Sequence, residues 1–289
     1  MPWTVLSLLG MLPQTEGLLR LKSSPNFAFR DDGELKPLLE QAARALPRAT
    51  QYSPPTLDGL SEDAQRHVAE VVKRPRFSVV EINEPCSFAE VSIPSLLVTK
   101  IDLQKSMVQQ YKQDLGESPE PDDVLNFCLP LSQHGRSVVG ISTEPGIRGP
   151  HAVSFTSTNS GMRMLAATVL RDEVLNAVEF RVLIGTGNPH VTVAKLRDEV
   201  IVLNGHHRLF ALLEKGITKC PCVVLDKHTW SELGVGGDSF FTEDILFQGR
   251  PTVAHYFGAT EIELPATVKM IRIPIEEILV PSDLPTKRP

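Results

Sequence analysis

The sequence predicts an α+β protein, with a small mixed sheet and a helical addition at the N-terminus. In the first third of the chain, leucines and alanines recur at helical spacing between Leu35 and Leu46. After Pro145, short apolar runs follow one another closely and are separated by turn residues, which is typical of strands. The chain has 289 residues, of which 42% are hydrophobic and 22% charged, so it can bury a core.

Helices dominate the expected elements before residue 130. Residues 33–49 form the first predicted helix, and Ser61 caps the second, which starts with acidic residues. Residues 77–82 read as a strand. The segment 100–116 is spaced for a helix that stops at Gly116, and Asp122 or Asp123 caps a short helix that runs through Phe127.

Strands dominate after Pro145. In residues 162–178 the apolar periods are mixed, and helix and strand remain alternatives there. A helix from Arg208 to Lys215 closes at Gly216. The predicted strands are His151–Ser157, Phe180–Gly185, the hairpin arms His190–Lys195 and Val200–Leu203 around the turn Leu196–Glu199, Val223–Leu225, and a late strand within 268–275.

These patterns divide the chain into four expected segments. Residues 1–76 form the helical addition and 77–145 an α+β connecting region. Residues 146–228 form the core, and 229–289 a C-terminal extension.

Charge and hydropathy argue against two classes of partner. The net charge of −6 and the lack of a long Lys/Arg run disfavour DNA. The apolar start of the chain has no charged leader or cleavage pattern, and it is too short to span a bilayer. We expect a soluble, cytoplasmic protein without a membrane partner.

The four cysteines do not form a disulfide framework in a chain of this length. Cys220 and Cys222 stand in a single Cys-x-Cys without a second ligand pair, so a zinc or redox site is poorly supported. We expect them to act as small hydrophobic residues at the start of a buried strand.

The most informative stretch joins the end of a strand to the start of a helix. Asn204, Gly205, His206, His207 and Arg208 lie between an apolar and an amphipathic run. Gly205 permits a tight turn, and the free N–H groups of the following helix attract anions. His206, His207 and Arg208 would add hydrogen-bond donors and positive charge at the same place, and Arg208 can bind a phosphate through two parallel hydrogen bonds. The turn is therefore expected to bind a phosphate.

A structural interpretation of the same residues remains open. The histidines could instead cap the helix and satisfy buried carbonyl groups. Metal binding is not expected, because adjacent histidines point to different faces and no His-Glu-x-x-His spacing is present.

The stretch 200–225, "VIVLNGHHRLFALLEKGITKCPCVVL", resembles the ParB/sulfiredoxin-like superfamily, also described as the ParB-like nuclease domain. The resemblance rests on the Asn204–Arg208 turn, the helix ending at Gly216 and the Cys220–Val224 strand. It specifically covers about 25 residues, and with the hairpin it extends over His151–Asp226.

This resemblance implies a small α+β fold that binds nucleotides or phosphates at the turn. Members of the superfamily hydrolyse CTP on DNA, repair oxidised cysteine with ATP, or phosphorylate free serine, and some are described as nucleases. The turn lacks the sulfiredoxin cysteine, and no clear helix-turn-helix follows Asp226, which disfavours repair and DNA partitioning.

The resulting functional prediction is a nucleotide- or phosphate-binding protein of this type that carries out phosphoryl transfer or nucleotide hydrolysis. A nucleoside triphosphate and Mg²⁺ are the cofactors that the resemblance implies. The alternatives are a non-catalytic, nucleotide-regulated binding module and a nuclease. Two or more carboxylates within reach of the turn would favour metal-assisted chemistry, and none would favour binding alone.

No catalytic residue is identified from the sequence, and whether the protein is an enzyme is left open. Asn188, His190 and Arg163 are secondary candidates, for which a role and simple loop polarity are both open. Asp198 and Glu199 are expected in the hairpin turn, away from the site. Glu214 is expected on a solvated helix face.

Overall fold

Apolar runs form strands and leucine-spaced runs form helices in the computed structural model, which confirms the α+β class. The structure describes residues 2–24, 27, 30–46, 52–74, 77, 82, 84–131, 140–146, 149–157, 162–172, 177–185, 189–265 and 269–274. Apart from Phe77 and Ile82, the strand expected over 77–82 lies outside them. No helix in these ranges has both the length and the apolar character needed to cross a membrane.

The helices of the described residues begin close to where the caps place them. Ser61 Oγ accepts the Ala64 N–H at 3.3 Å, as expected. Glu120, rather than Asp122 or Asp123, caps the short fifth helix, and Asp123 completes a capping box. The helices are α1 (Gln14–Lys22), α2 (Asp32–Ala45), α3 (Glu62–Lys73), α4 (Lys105–Asp114), α5 (Pro121–Cys128), α6 (His206–Glu214) and α7 (Glu243–Gly249).

The strands include the hairpin and the late strand that the sequence predicts. Residues 163–172 are extended, which settles the choice between helix and strand for them. The strands are β1 (Trp3–Ser7), β2 (Leu57–Asp58), β3 (Ser87–Ser92), β4 (Leu97–Val98), β5 (Asp102–Gln104), β6 (Gly140–Gly146), β7 (Gly149–Ser157), β8 (Arg163–Asp172), β9 (Ala177–Gly185), β10 (Thr192–Leu196), β11 (Glu199–Asn204), β12 (Lys219–Lys227), β13 (Thr260–Leu264) and β14 (Lys269–Pro274).

A six-stranded mixed sheet carries the conspicuous turn, in the order β2-β3-β12-β10-β11-β4. β10 pairs antiparallel with β11 and parallel with β12, whereas β11 pairs parallel with β4. Helix α6 leaves β11 and leads to β12, and its residues from Arg208 to Leu213 are buried. A helix that is apolar on every side belongs inside a core.

A second, three-stranded sheet in the order β13-β1-β5 supports α1 and α2. The apolar start of the chain is thus strand β1, whose Val5 pairs with Ile262 and with Gln104. Val5, Ile262 and the helix leucines Leu21, Leu35 and Leu39 form a small separate core.

The chain forms two units, Met1–Gln133 with Asn188–Ala266, and His134–Gly187 with Thr267–Pro289. These units differ from the four consecutive segments expected from the sequence. The first unit contains the two sheets above, because β3 and β4 pair with β12 and β11 across more than a hundred residues. The second contains the sheet β14-β7-β6 and the hairpin β8-β9.

Candidate functional site

The turn between β11 and α6 adopts the backbone geometry that its glycine allows. Gly205 has φ +98°, in the left-handed region that side chains disfavour. A Cβ atom placed there would lie 3.0 Å from Cγ2 of Val191 and 3.3 Å from its Cα. The chain therefore reverses tightly against Val191, and α6 begins at His206, within two residues of His207 as predicted.

Asn204 ties the turn to the start of the neighbouring strand. Its Nδ2 donates to the His190 carbonyl at 2.7 Å, and the hydroxyl of Thr192 donates to the same carbonyl at 3.2 Å. His190 is fully buried, and its ring centroid lies 5.6 Å from that of Phe77. The Asn204 amide thus fixes the geometry of the turn.

His206 is buried and hydrogen-bonded inside the protein. Its Nε2 lies 3.1 Å from Oγ1 of Thr99, and that hydroxyl donates to the Val202 carbonyl at 3.1 Å. Because the hydroxyl proton is committed to Val202, Oγ1 accepts from the Nε2–H of His206. Burial, with a smaller contribution from Lys100, lowers the His206 pKa well below its ordinary value.

His207 also serves the protein's own backbone. Its Nε2 accepts the N–H of Gln104 at 2.9 Å. Burial, followed by the charges of Lys100 and Arg208, lowers the His207 pKa to about 3. The expectation that the two histidines add positive charge to the turn therefore needs correction, because both rings are neutral at physiological pH.

Arg208 supplies the cation that the sequence predicts, although in a buried position. Its side chain reaches α5, where one guanidinium nitrogen donates to the Phe127 carbonyl at 3.0 Å. The other, Nη2, lies 3.5 Å from the point that a Cβ of Gly205 would occupy. Burial lowers the Arg208 pKa, but a guanidinium remains charged in proteins.

No described carboxylate forms an ion pair with Arg208. Tyr111, Cys128 and Cys220 are ionisable groups in its surroundings. The only described hydrogen bond from its guanidinium goes to a neutral carbonyl. The buried charge is therefore not neutralised by the part of the chain that the structure describes, which is costly for an isolated protein.

Lys100 is a second cation beside the turn and is not among the residues that the sequence pattern singled out. It follows Thr99 in the segment between β4 and β5, and its charge contributes to the lowered pKa of both His206 and His207. Burial lowers the Lys100 pKa, and no described acidic side chain offsets this. Its position so soon after the apolar run Leu96–Val98 marks Lys100 as a candidate for a buried cation, but nothing in the sequence places it beside the turn.

The turn remains accessible at three residues. Asn204, Gly205 and His207 are partly exposed, whereas His206 and Arg208 are buried. The backbone N–H groups of His206, His207 and Arg208 have no acceptor among the described residues, as is usual in the first turn of a helix. These groups and the two cations can together hold an anion.

Of the secondary candidates, His190 is the one whose place beside the turn the described residues show. Asn188 lies outside the described residues. Arg163 begins β8 in the other unit, and its side chain is not among those described. His190 packs against Phe77, as above.

Glu199, Glu214 and Asp102 each have a partner other than the turn. Glu199 begins β11, where it accepts from the Tyr52 hydroxyl at 2.5 Å and pairs with Arg250 at 3.1 Å. Glu214 pairs with Lys112 at 3.2 Å. Asp102, on the strand that bears Gln104, forms an ion pair with Arg20.

The cysteines behave as the sequence predicts. Cys220 and Cys222 are buried in β12, close to Cys128 at the end of α5. A hydrogen bond with Cys128, followed by burial, raises the pKa of the Cys220 thiol, and burial raises that of Cys222, which keeps both thiols protonated. Across the described ranges, no three histidine, cysteine or carboxylate side chains are grouped so that they could hold a metal ion.

Two cavities among the described residues lie away from the turn. One of about 260 Å³ lies beside α2, and one of about 370 Å³ is lined by residues of β1 and α4. Neither includes a residue of Asn204–Arg208.

Comparison with known proteins gives no match to a family model, to a curated protein or to a solved structure.

Proposed function

We propose that the chain binds the phosphate groups of a nucleotide at the turn Asn204–Arg208. One observation carries the proposal: Arg208 lies in the first turn of α6, Lys100 follows Thr99, whose hydroxyl bonds to His206 of the same turn, and neither cation has an acidic partner among the described residues. A buried cation without a counterion is unfavourable, and a bound phosphate would supply the missing charge.

The backbone of the turn would complete the site. The N–H groups of His206, His207 and Arg208 point out of the N-terminus of α6, where the helix dipole favours an anion. The neutral imidazoles take a positioning role, since their hydrogen bonds to Thr99 and Gln104 hold that end of the helix in place. The order of strand, turn, helix and strand within one sheet supports the resemblance to the ParB/sulfiredoxin-like superfamily.

Binding without catalysis is favoured over phosphoryl transfer. Chemistry at the phosphate needs a carboxylate to position Mg²⁺ or to act as a base. Asp102 is on β5, the strand whose Gln104 bonds to His207, and Arg20 already pairs with it. We therefore infer a nucleotide-responsive binding protein, with hydrolysis, transfer and nuclease activity as the alternatives.

Calorimetry tests the proposal with ATP, CTP and GTP, each with and without Mg²⁺. The corresponding nucleosides and inorganic tripolyphosphate serve as controls. At least one triphosphate should bind much more tightly than its nucleoside, because the phosphates provide the charged contacts. If no phosphate-bearing compound binds at millimolar concentration, the proposal fails. Release of inorganic phosphate in the same samples would replace the binding-only assignment with hydrolysis.

A further inference from the structure

Phe240 lies directly opposite Lys100, the second cation of the proposed phosphate site. The two residues form an antiparallel bridge. The hydrogen bonds that flank this bridge, of 3.1 and 2.8 Å, join the residues next to Lys100 to the residues next to Phe240. Lys100 and Phe240 are therefore a non-hydrogen-bonded pair, the kind of pair whose side chains share one face and lie closest together.

The bridge brings the Phe240 ring close to the turn. The charge of Lys100 acts on the rings of both His206 and His207, so its ammonium group lies near the first turn of α6. Because Phe240 shares a face with Lys100, its ring lies on the same side of this pair of segments. One residue links the two places, since the Thr99 hydroxyl bonds to His206 and the Thr99 carbonyl accepts the N–H of the residue after Phe240.

The Phe240 side chain is not part of either hydrophobic core of the described residues. It is partly exposed, and it is not among the apolar side chains that pack against those cores. It also forms no ring pair with another described aromatic residue. The neighbouring Phe241, by contrast, is 2% exposed and belongs to the main core. A single exposed apolar side chain is ordinary, but Phe240 stands beside a cation that has no described acidic partner.

The loop that leads into Phe240 leaves open space. The Phe240 N–H donates to the Gly237 carbonyl at 3.0 Å, which closes a turn and fixes the backbone. Gly236 and Gly237 are exposed, and a Cβ atom built at either would meet nothing within 4 Å. These two residues carry no side chain that would compete with a ligand for this space.

We propose that Phe240 stacks on the base of a nucleotide whose phosphates bind at Lys100 and the turn Asn204–Arg208. This inference rests on the proposed function and extends it from the phosphates to the nucleoside. An aromatic ring offers a stacking face to any base, whereas a phosphate group gains nothing from it. Because Lys100 and Phe240 are opposed, one ligand with an anionic and a planar half would contact both. The ligand class is therefore a nucleoside phosphate rather than an inorganic polyphosphate.

Calorimetric titration of ATP, CTP, GTP and tripolyphosphate into the full chain tests this inference. In the wild type, at least one nucleoside triphosphate should bind more tightly than tripolyphosphate. Phe240→Ala should lower the affinity for that nucleotide roughly five- to a hundredfold, which is the usual effect of losing one base–aromatic stack, and should leave tripolyphosphate binding unchanged. Phe240→Trp should retain nucleotide binding, because an indole keeps the stacking face.

Phe247→Ala is the matched control. Phe247 is also partly exposed, but its ring packs against Trp230 and against Arg197, in the turn at the opposite end of β11 from Asn204. This variant should bind all four ligands as the wild type does. The inference is overturned, and the phosphate site stands, if wild-type chain binds tripolyphosphate as tightly as every nucleotide. It is equally overturned if Phe240→Ala binds nucleotide normally or weakens both kinds of ligand alike. Failure of all four ligands to bind would overturn the proposed function as well.

Discussion

Nε2 of His207 accepts a hydrogen bond from the backbone N–H of Gln104, which lies 103 residues earlier in the chain. This bond joins the first turn of α6 to the end of β5 and requires an unprotonated nitrogen. The ring must therefore stay neutral for the turn to keep its geometry.

Stability should consequently fall in acid. The His207 pKa is about 3 in the folded chain, against an ordinary 6.5, so between these pH values the unfolded state binds more protons. The free energy of unfolding decreases as the pH falls through this window, by up to about 1.4 kcal/mol per pH unit for each such histidine. His206 adds an effect of the same sign.

Urea denaturation between pH 7 and pH 4 measures this dependence. His207→Gln retains an acceptor for the Gln104 N–H but does not titrate, so its pH dependence should be shallower than that of the wild type. The exposed His228→Gln is the control and should follow the wild-type curve. Equal slopes for wild type and His207→Gln would contradict this account of the turn.

Gly205→Ala should destabilise the chain more than Gly216→Ala. Both glycines have positive φ, +98° and +79°, so both substitutions introduce backbone strain of about 1 kcal/mol. Only at Gly205 does the new Cβ meet a neighbour, Val191, at 3.0 Å, whereas nothing lies within 4 Å at Gly216. Chemical denaturation of the two variants gives the difference, and a loss at Gly205 no larger than at Gly216 would rule out the close approach.

The ion pair between Arg20 and Asp102 should be strongly coupled. Its side chains are only 13% and 10% exposed, and Arg20 also donates to the Asp238 carbonyl at 2.8 Å. Asp102→Asn leaves a buried arginine without its partner, which costs about 3–5 kcal/mol, and the double variant with Arg20→Met should lose less. A double-mutant cycle by denaturation measures the coupling.

The exposed pair of Arg44 and Glu40 provides the reference cycle. Its side chains are 79% and 62% exposed, so its coupling should stay below about 0.5 kcal/mol. Similar coupling energies in both cycles would show that burial does not strengthen the Arg20–Asp102 pair.

Lys100→Met should stabilise the unliganded chain while weakening its binding of phosphate. The substitution removes a desolvated ammonium that has no described acidic partner, and we expect a gain on the order of 1 kcal/mol in the free energy of unfolding. Lys105→Met, at a lysine paired with Glu261 at 2.6 Å, is the control and should give no gain. A destabilised Lys100→Met variant would instead assign Lys100 a structural role.

The order of strand, turn, helix and strand was predictable because its determinants are local. Gly205 and the apolar runs on either side of it specify the change from strand to helix within a few residues. The late strand and the Ser61 cap were predictable for the same reason.

The partners of the turn residues could not be read from the sequence. Thr99, Lys100 and Gln104 reach the turn through the pairing of β4 with β11 and of β5 with β1. No local pattern encodes these long-range pairings, so the charge state of the histidines was also beyond a sequence argument. Likewise, β3 extends the sheet of the turn only through its pairing with β12.

The most direct test of the account is calorimetric titration of tripolyphosphate into three proteins: wild type, Arg208→Lys and Lys215→Met. Lysine keeps the positive charge of Arg208 but cannot donate two parallel hydrogen bonds as a guanidinium does. The affinity of Arg208→Lys for tripolyphosphate should therefore be lower by a factor of roughly ten or more. Lys215 lies just beyond the far end of α6 and donates to the Gly116 carbonyl, so its loss removes one charge without touching the turn. The account predicts wild-type affinity for Lys215→Met and weakened binding for Arg208→Lys at an unchanged melting temperature. Equal affinity in all three proteins would contradict the assignment of Asn204–Arg208 as the phosphate site.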